Sequence, residues 1–411
     1  MTTRAPGAPL PRRALAAVAL LAFAVVAVWA ASRLWSTDVP GDLPQPAVDP
    51  AETFGETALD EAKSFETFLR VSAVLSQVAL LATLGLYAFR GARFVRESAA
   101  GPIGTGFLLG MLGLAIAWLV QLPFLIADTW WLRHHDVIEA GYVEAIVGDL
   151  AGLAETFLFV CFALLIAMGL ARFVRERWWL PAGVAFVALF AGLNYVAPYL
   201  LFGLDPATPA LKRQAVELAR AEGLDDDVPV EIMPVREELS QPNAFAFGLG
   251  ATRRIVIFDT LAEDFPAREV RATLAHEVAH HARDHIAKGI GWFAVVILPT
   301  ALIVAFATRR RGGMAVPEAV PLALFVVVAL NVVTMPLQNA ASRRYEAEAD
   351  WTALQATRDP KAVEDLWRDF TLRALADPDP PGWWHVLYDT HPSGVERVEM
   401  ARAWAQLNGH R

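Results

Sequence analysis

Seven stretches of this chain are long and apolar enough to cross a bilayer as helices, and this limits the possible folds more than any other feature. Inside a bilayer no water is present to satisfy unpaired backbone groups, so only helices or closed barrels span it. A spanning helix takes about 20 apolar residues. The stretches lie near 14–34, 71–89, 105–127, 152–171, 180–203, 289–307 and 317–339. Hydrophobic residues make up 55% of the 411 and charged residues 19%, too apolar a balance for an ordinary soluble enzyme. The expected class is mainly α, with about seven transmembrane helices. Pro123, Pro198, Pro299 and Pro336 fall inside or near the ends of these spans. Helices in lipid tolerate proline where neighbouring helices or waters satisfy the freed carbonyl, and the kinks suit a bundle around a cavity.

The spans divide the chain. Residues 1–35 read as an N-terminal membrane anchor and 36–70 as an acidic, proline-containing extramembrane loop. The arginines ahead of the first span (Arg4, Arg12, Arg13) resemble a signal-peptide n-region, but the apolar stretch is long and Ala27-Val28-Trp29-Ala30-Ala31 is a poor cleavage site, so an uncleaved anchor is expected. Transmembrane helices fill 71–203 and 289–340. Between them, 204–288 is polar. It begins with a helical pattern through Leu211, Ala215, Leu218 and Ala219, followed by an acidic turn at Asp225-Asp226-Asp227. Short strands are expected at 228–232, 243–247 and 254–258, the last two joined through Gly248 and Gly250, and then a helix from about Ala267. The C-terminal part, 341–411, reads as helical with an interruption at Pro378, Pro380, Pro381 and Gly382.

Charge gives a topology. Arg4, Arg12 and Arg13 precede the first span; Arg90, Arg93 and Arg96 follow the second; Arg172, Arg175 and Arg177 follow the fourth; Arg309, Arg310 and Arg311 follow the sixth. With seven spans all four clusters share one side, which the positive-inside rule assigns to the cytoplasm. The 204–288 region and the C-terminal part then lie outside. A net charge of −9 and the lack of a basic stripe exclude nucleic-acid binding. The single cysteine, Cys161, rules out an intramolecular disulfide. Lysine is scarce and arginine abundant, the usage of a GC-rich bacterial genome, so a bacterial cell membrane is the expected location.

The expected helix after Ala267 carries His276-Glu277-Val278-Ala279-His280, which fits H-E-x-x-H. Two histidines four apart on a helix share one face and can hold one zinc ion, and the glutamate between them can deprotonate its water. A catalytic zinc needs a further protein ligand and one open position. His285 is a candidate, but the metzincin spacing requires glycine and histidine where this chain has Arg283 and Ile286. His281 is rotated about 100° from His280 and points elsewhere. The third candidate follows the last span, in Ser342-Arg343-Arg344-Tyr345-Glu346-Ala347-Glu348-Ala349-Asp350. There Glu346 and Asp350 share a helix face. Glu346 is the expected ligand, in the gluzincin pattern of two His and one Glu. Asp350 is then placed to hydrogen-bond His276 or His280 and fix its tautomer. Glu348 points to the other side. The plainer reading makes these acids a solvated face paired with Arg343 and Arg344.

These segments resemble the integral-membrane zinc endopeptidases of the CAAX prenyl protease type I group, with the heat-shock membrane proteases as shorter relatives. Further resemblance lies in Pro242-Asn243-Ala244-Phe245-Ala246-Phe247-Gly248 leading to Arg253–Leu261, in Leu122-Pro123-Phe124, and in His391-Pro392 followed by Arg397. It covers roughly 100–405 and is strongest in 241–286 and 342–350; the first 70 residues share nothing specific. It implies a seven-helix barrel around an intramembrane chamber, capped by the zinc domain. It also implies one zinc held by His276, His280 and Glu346, Glu277 as base, and Asn243, His391 and Arg397 near the bound peptide. An extended substrate pairing with the strand that starts at Asn243 suits that arrangement, and His391 and Arg397 would face a developing oxyanion. His285 is expected either to support the ligands or to be structural.

The expected activity is zinc-dependent hydrolysis of membrane-associated or misfolded polypeptides, with polypeptide and lipid as partners. Two other classes fit a multi-span chain: a transporter with a vestigial zinc site, and a chaperone-like quality-control protein that binds without cutting. Few ionisable residues lie within the spans, which disfavours an ion or proton pathway.

Overall fold

The computed structural model describes residues 12–44, 46–91, 101–225, 227–237 and 239–409, leaving aside the side chains of 12–20, 22–24 and 155. Expectations resting on Arg4, Arg93, Arg96 and Asp226, and on the side chains of Arg12 and Arg13, lie outside the described residues. Among the described residues, six helices are long and apolar enough to cross a membrane. They are α3 (Glu56–Arg90), α4 (Gly101–His134), α5 (Tyr142–Val174), α6 (Trp179–Leu200), α10 (His285–Thr308) and α11 (Val320–Thr357). The protein is a multi-pass integral membrane protein. The first expected span is helix α1 (Arg12–Trp35), apolar over its described stretch Val25–Trp35.

The six long helices close a ring in the order α3–α4–α5–α6–α10–α11 and back to α3, while α1 packs against α10. The expected seven-helix barrel is thus a ring of six, among the described residues, with α1 on its flank. Close packing within the ring uses small residues. Gly106 and Gly110, four apart on α4, face Met168 and Leu164 of α5, where an added Cβ would lie within 2.4 Å of a side-chain atom. Pro123, Pro198, Pro299 and Pro336 all sit inside ring helices.

The expected acidic loop at 36–70 differs from the structure. Only its first part is irregular: α2 spans Pro50–Phe54 and α3 is helical from Glu56. The polar start of α3 holds good helix formers, and it buries Leu59, Ala62 and Phe65 on one face. Leu59 and Phe54 pack on Val398 near the C-terminus. The apolar run was therefore only the membrane part of a longer helix.

Outside the membrane, α7 (Pro209–Ala221), α9 (Ala267–Ala282), the end of α11, α12 (Pro360–Ala374) and α14 (Gly394–Leu407) enclose one core with a four-stranded sheet. Short helices α8 (Asp259–Asp264) and α13 (Gly382–Leu387) complete the chain. The strands are β1 (Asp205–Pro206), β2 (Val230–Met233), β3 (Ala244–Phe247) and β4 (Arg254–Phe258), in the order β1-β2-β4-β3. β2 and β4 are parallel, and β3 is an antiparallel edge strand on β4. Gly248 ends β3 with φ +86, and a Cβ there would lie 2.2 Å from the Thr252 carbonyl oxygen. Only glycine turns the chain at this point, and that turn fixes which edge of β3 stays free.

Glu222, at the C-terminal end of α7, is buried, and neither carboxylate oxygen has a hydrogen-bond partner among the described residues. Burial pushes its pKa up to about 9, against the pull of Arg283 and His276. A folded-state pKa raised above the unfolded value means that stability is retained below the unfolded pKa and lost as pH rises toward the folded one. Glu222→Gln is therefore expected to raise the thermal midpoint of the purified protein, with a gain that grows between pH 5 and pH 8. A gain equal at both pH values would show that Glu222 is not held neutral.

Candidate active site

α9 runs from the domain core toward the membrane and ends where Asp284, in a left-handed conformation, turns the chain into α10. α11 returns through the membrane. At 38 residues it is about 57 Å long at 1.5 Å per residue, well beyond the hydrocarbon thickness of about 30 Å. Its extramembrane end packs along α9. This pairing brings the distant carboxylates to the histidines.

His276, His280 and Glu346 offer donor atoms that all lie within 4.8 Å of one another. The Nε2 atoms of the two histidines are 3.1 Å apart. Glu346 Oε2 is 3.2 Å from His276 Nε2, and Oε1 is 3.5 Å from His280 Nε2. Bonds of about 2.0–2.1 Å at tetrahedral angles put ligand atoms about 3.3–3.4 Å apart. The three donors thus fit one tetrahedral divalent ion, with a fourth position left for water or substrate.

Each imidazole is held from its far side. His276 Nδ1 lies 2.8 Å from Asp350 Oδ1. His280 Nδ1 lies 3.0 Å from His285 Nδ1, and His285 Nε2 lies 2.9 Å from Glu348 Oε2. Protons placed on the outward nitrogens leave both Nε2 lone pairs free for a metal. Glu348 is fixed further by Lys288 Nζ at 3.2 Å and by the Asp38 amide at 2.7 Å. His285 stacks on Tyr345, with ring centroids 4.9 Å apart. Sequence reasoning left Glu348 out of the site because two residues along a helix is the opposite face. The site nevertheless takes in both faces of α11, since His285, the first residue of α10, reaches round to Glu348. A histidine five residues after His280 was the available signal.

Arg397 of α14 is buried and binds both carboxylates, donating to Asp350 at 2.8 Å and to Glu346 at 3.2 Å over the ring of Trp367. Arg343 and Arg344 do not pair with these acids. Arg343 holds the His385 and Asp389 carbonyls at 2.6 and 2.5 Å, and Arg344 donates to Trp35 and Thr37. His391, largely exposed, lies 3.5 Å from Glu346. His281 turns away, 3.0 Å from the Arg254 carbonyl of β4, and burial lowers its pKa to about 4.

Burial opposes charge on His276, but Asp350 and Glu346 outweigh it and raise its pKa to about 10. The same concentration of negative charge favours a divalent cation, which must displace that proton. Burial pushes Glu277 up to about 7, partly offset by His276, and the Ala246 amide donates to its carboxylate. That amide belongs to the free edge of β3. The Phe258 amide donates to the Asn243 carbonyl at 2.9 Å, so 243, 245 and 247 face β4 while 244 and 246 turn outward. Asn243 Oδ1 accepts from the Ala244 amide at 2.9 Å.

The donors open onto a cavity of about 500 Å³. Its walls come from α6 (Phe190, Asn194), β3 (Phe245), α10 (Ile290, Phe293) and the His391 segment. A smaller recess behind, about 90 Å³, is bounded by Asn243, Trp367 and Arg397.

Residues 206–405 match the model of Peptidase family M48. The chain is similar to that family over just under half of its length. It is 25% identical over 241 residues to the uncharacterized metalloprotease YhfN of Bacillus subtilis, covering 55% of this chain and 57% of that protein. It is 28% identical over 125 residues to a CAAX prenyl protease 1 homolog of Dictyostelium discoideum, covering 28% of this chain and 29% of that one. The chain thus spans just over half of the first relative and under a third of the second. The whole fold is shared with the crystal structure of S. mikatae Ste24p, with a TM-score of 0.71 at 17% identity over 96% of this chain and all of that one.

If Asp350 orients His276, Asp350→Asn is expected to weaken metal affinity by about 10–100-fold. Competition with a chromophoric chelator measures this, and an unchanged affinity would remove Asp350 from the metal centre.

Proposed function

We propose that the protein is a membrane-embedded zinc-dependent endopeptidase acting on membrane-associated or misfolded polypeptides. The observation that carries this reading is the convergence of two imidazoles and one carboxylate, at tetrahedral spacing, beside a buried glutamate. The M48 match and the names of the similar proteins support the same reaction.

His276, His280 and Glu346 would hold the zinc. Bound there, zinc supplies Lewis acidity toward a water and a scissile carbonyl. Glu277 accepts the proton of the attacking water and passes it to the leaving amine, and a pKa near 7 suits a group that must do both. The substrate extends along the free edge of β3, where the outward backbone of Ala244 and Ala246 is available for pairing. Asn243 shapes the start of that edge. His391, exposed beside Glu346, would donate to the developing oxyanion. Arg397 acts through Asp350 and Glu346, holding both carboxylates in place. The aromatic cavity on the membrane side receives apolar substrate residues.

The described arginines at 90, 172, 175, 177 and 309–311 all lie at the helix ends opposite the site. By the positive-inside rule this supports an extracytoplasmic active site, in a bacterial cell membrane. A chaperone or transporter with a vestigial site is disfavoured, because loss of function would relax selection on the donors, the base and the groups behind them, and all are present.

Glu277→Gln is expected to keep full metal occupancy while cleavage of a casein-type substrate falls by about 10²–10⁴. Retained cleavage would remove the base role. Glu346→Ala is expected to lose the metal as well as activity, and elemental analysis showing full zinc occupancy in that variant would contradict the ligand set.

A further inference from the structure

At the end of the barrel opposite the metal site, the turn between α5 and α6 and the turn after α10 enclose a cavity of about 400 Å³. Its walls have two characters. Toward the bilayer they are apolar, with Leu302, Phe306 and Trp179; at the rim stand Arg175 and Arg309. Leu302, Phe306 and Arg309 recur at helical spacing along one side of α10, so apolar surface leads directly to a cation. The step from 302 to 309 is about 10 Å along the axis. Phe306 is 75% exposed on the outside of the ring, so the cavity is open to surrounding lipid. The Arg175 side chain makes no hydrogen bond or ion pair among the described residues. Among the described residues the Arg309 side chain has only a loose, exposed pair with Glu176 at 3.5 Å, the kind of contact that contributes little. Arg172, Arg177 and Arg310 add exposed positive charge nearby.

We propose that this cavity binds an anionic glycerophospholipid, with its phosphate between Arg175 and Arg309 and an acyl chain along Leu302 and Phe306. A water-soluble anion would use the rim but not the apolar wall, and a protein partner would have to enter the plane of the bilayer to reach it. An anionic headgroup satisfies the cations, and its chain covers the aromatic face. The site joins the start of α6 to the end of α10. Farther along, these two helices supply Phe190 and Phe293 to the cavity beside the metal donors. A lipid bound here therefore staples the pair of helices that walls the candidate substrate cavity.

The test uses the full-length, delipidated protein in a neutral detergent, followed by thermal unfolding. Phosphatidylglycerol is expected to raise the midpoint, while phosphatidylcholine and inorganic phosphate are not. The double variant Arg175→Asn/Arg309→Gln should lose this response, its apparent phosphatidylglycerol affinity falling about tenfold or more; asparagine is chosen because Arg175 has φ +52. Arg172→Gln/Arg310→Gln, which leaves the cavity intact, should keep the response. Leu302→Trp, which fills the apolar wall and keeps both arginines, should lose it. An undiminished response in the Arg175/Arg309 variant would overturn the site. So would equal loss in the Arg172/Arg310 control, which would mean diffuse surface charge only. A matching effect of inorganic phosphate would make this a free-anion site and overturn the lipid assignment.

Discussion

Arg397 carries a buried positive charge between two buried carboxylates, and the geometry of the candidate metal site depends on that arrangement. Glu346 and Asp350 both lie on α11, one turn apart, in the same desolvated space as His276. Without a cation beside them their mutual repulsion would push one carboxylate outward or force it to protonate. Arg397 donates to both and stacks on Trp367, so neither can swing away. Breaking a buried pair of this kind costs about 3–5 kcal/mol. The clamp also draws α14 onto α11, so the end of the chain completes a site whose donors lie 50 to 120 residues earlier in the sequence.

Membrane insertion and site geometry are linked through the same helices. His285 begins α10 and Glu346 lies toward the end of α11, and both helices belong to the ring. Any shift of α10 along α11 would move His285 relative to Glu348 and so tilt His280. The segment after α1 reinforces this registration. Tyr345 donates to the Leu34 carbonyl at 2.6 Å, Arg344 to the Trp35 carbonyl, and the Asp38 amide to Glu348. The α1 exit therefore straps the same stretch of α11 that carries Glu346, although none of its described groups reaches the candidate metal donors.

Much of this was legible in the sequence, and what was not has physical causes. The membrane helices could be read because each must be apolar over a bilayer thickness, and strands β2 to β4 because β-branched and aromatic runs were bounded by glycine and proline. The polar start of α3 was hidden because a helix leaving the membrane no longer needs apolar residues all round; it shows only a stripe of Leu59, Ala62 and Phe65. Glu346 and Asp350 stood out from their spacing of four. Glu348 did not, since its role depends on where the α9–α10 turn puts His285, and a left-handed Asp284 has no strong local signature. The pairing of Arg343 and Arg344 with loop carbonyls rather than with neighbouring acids was equally hidden, being set by segments far away in sequence.

The two ends of the barrel show opposite electrostatic arrangements. Near the metal donors Glu346, Glu348 and Asp350 each have a partner of opposite sign in Arg397 or Lys288, and the acids outnumber the bases, which is the condition for holding a divalent cation in a desolvated space. At the other end most of the described arginines are exposed and weakly paired, which costs little in water and suits a surface facing anionic headgroups. A chain with net charge −9 could have placed compensating acids beside those arginines, yet Glu176 and Glu318 are the acids described in those turns. On the proposed reading, this asymmetry is what orients the helices, and with them the candidate site, relative to the bilayer. The choice of face and the construction of the metal site thus follow from one division of charge along the same set of helices.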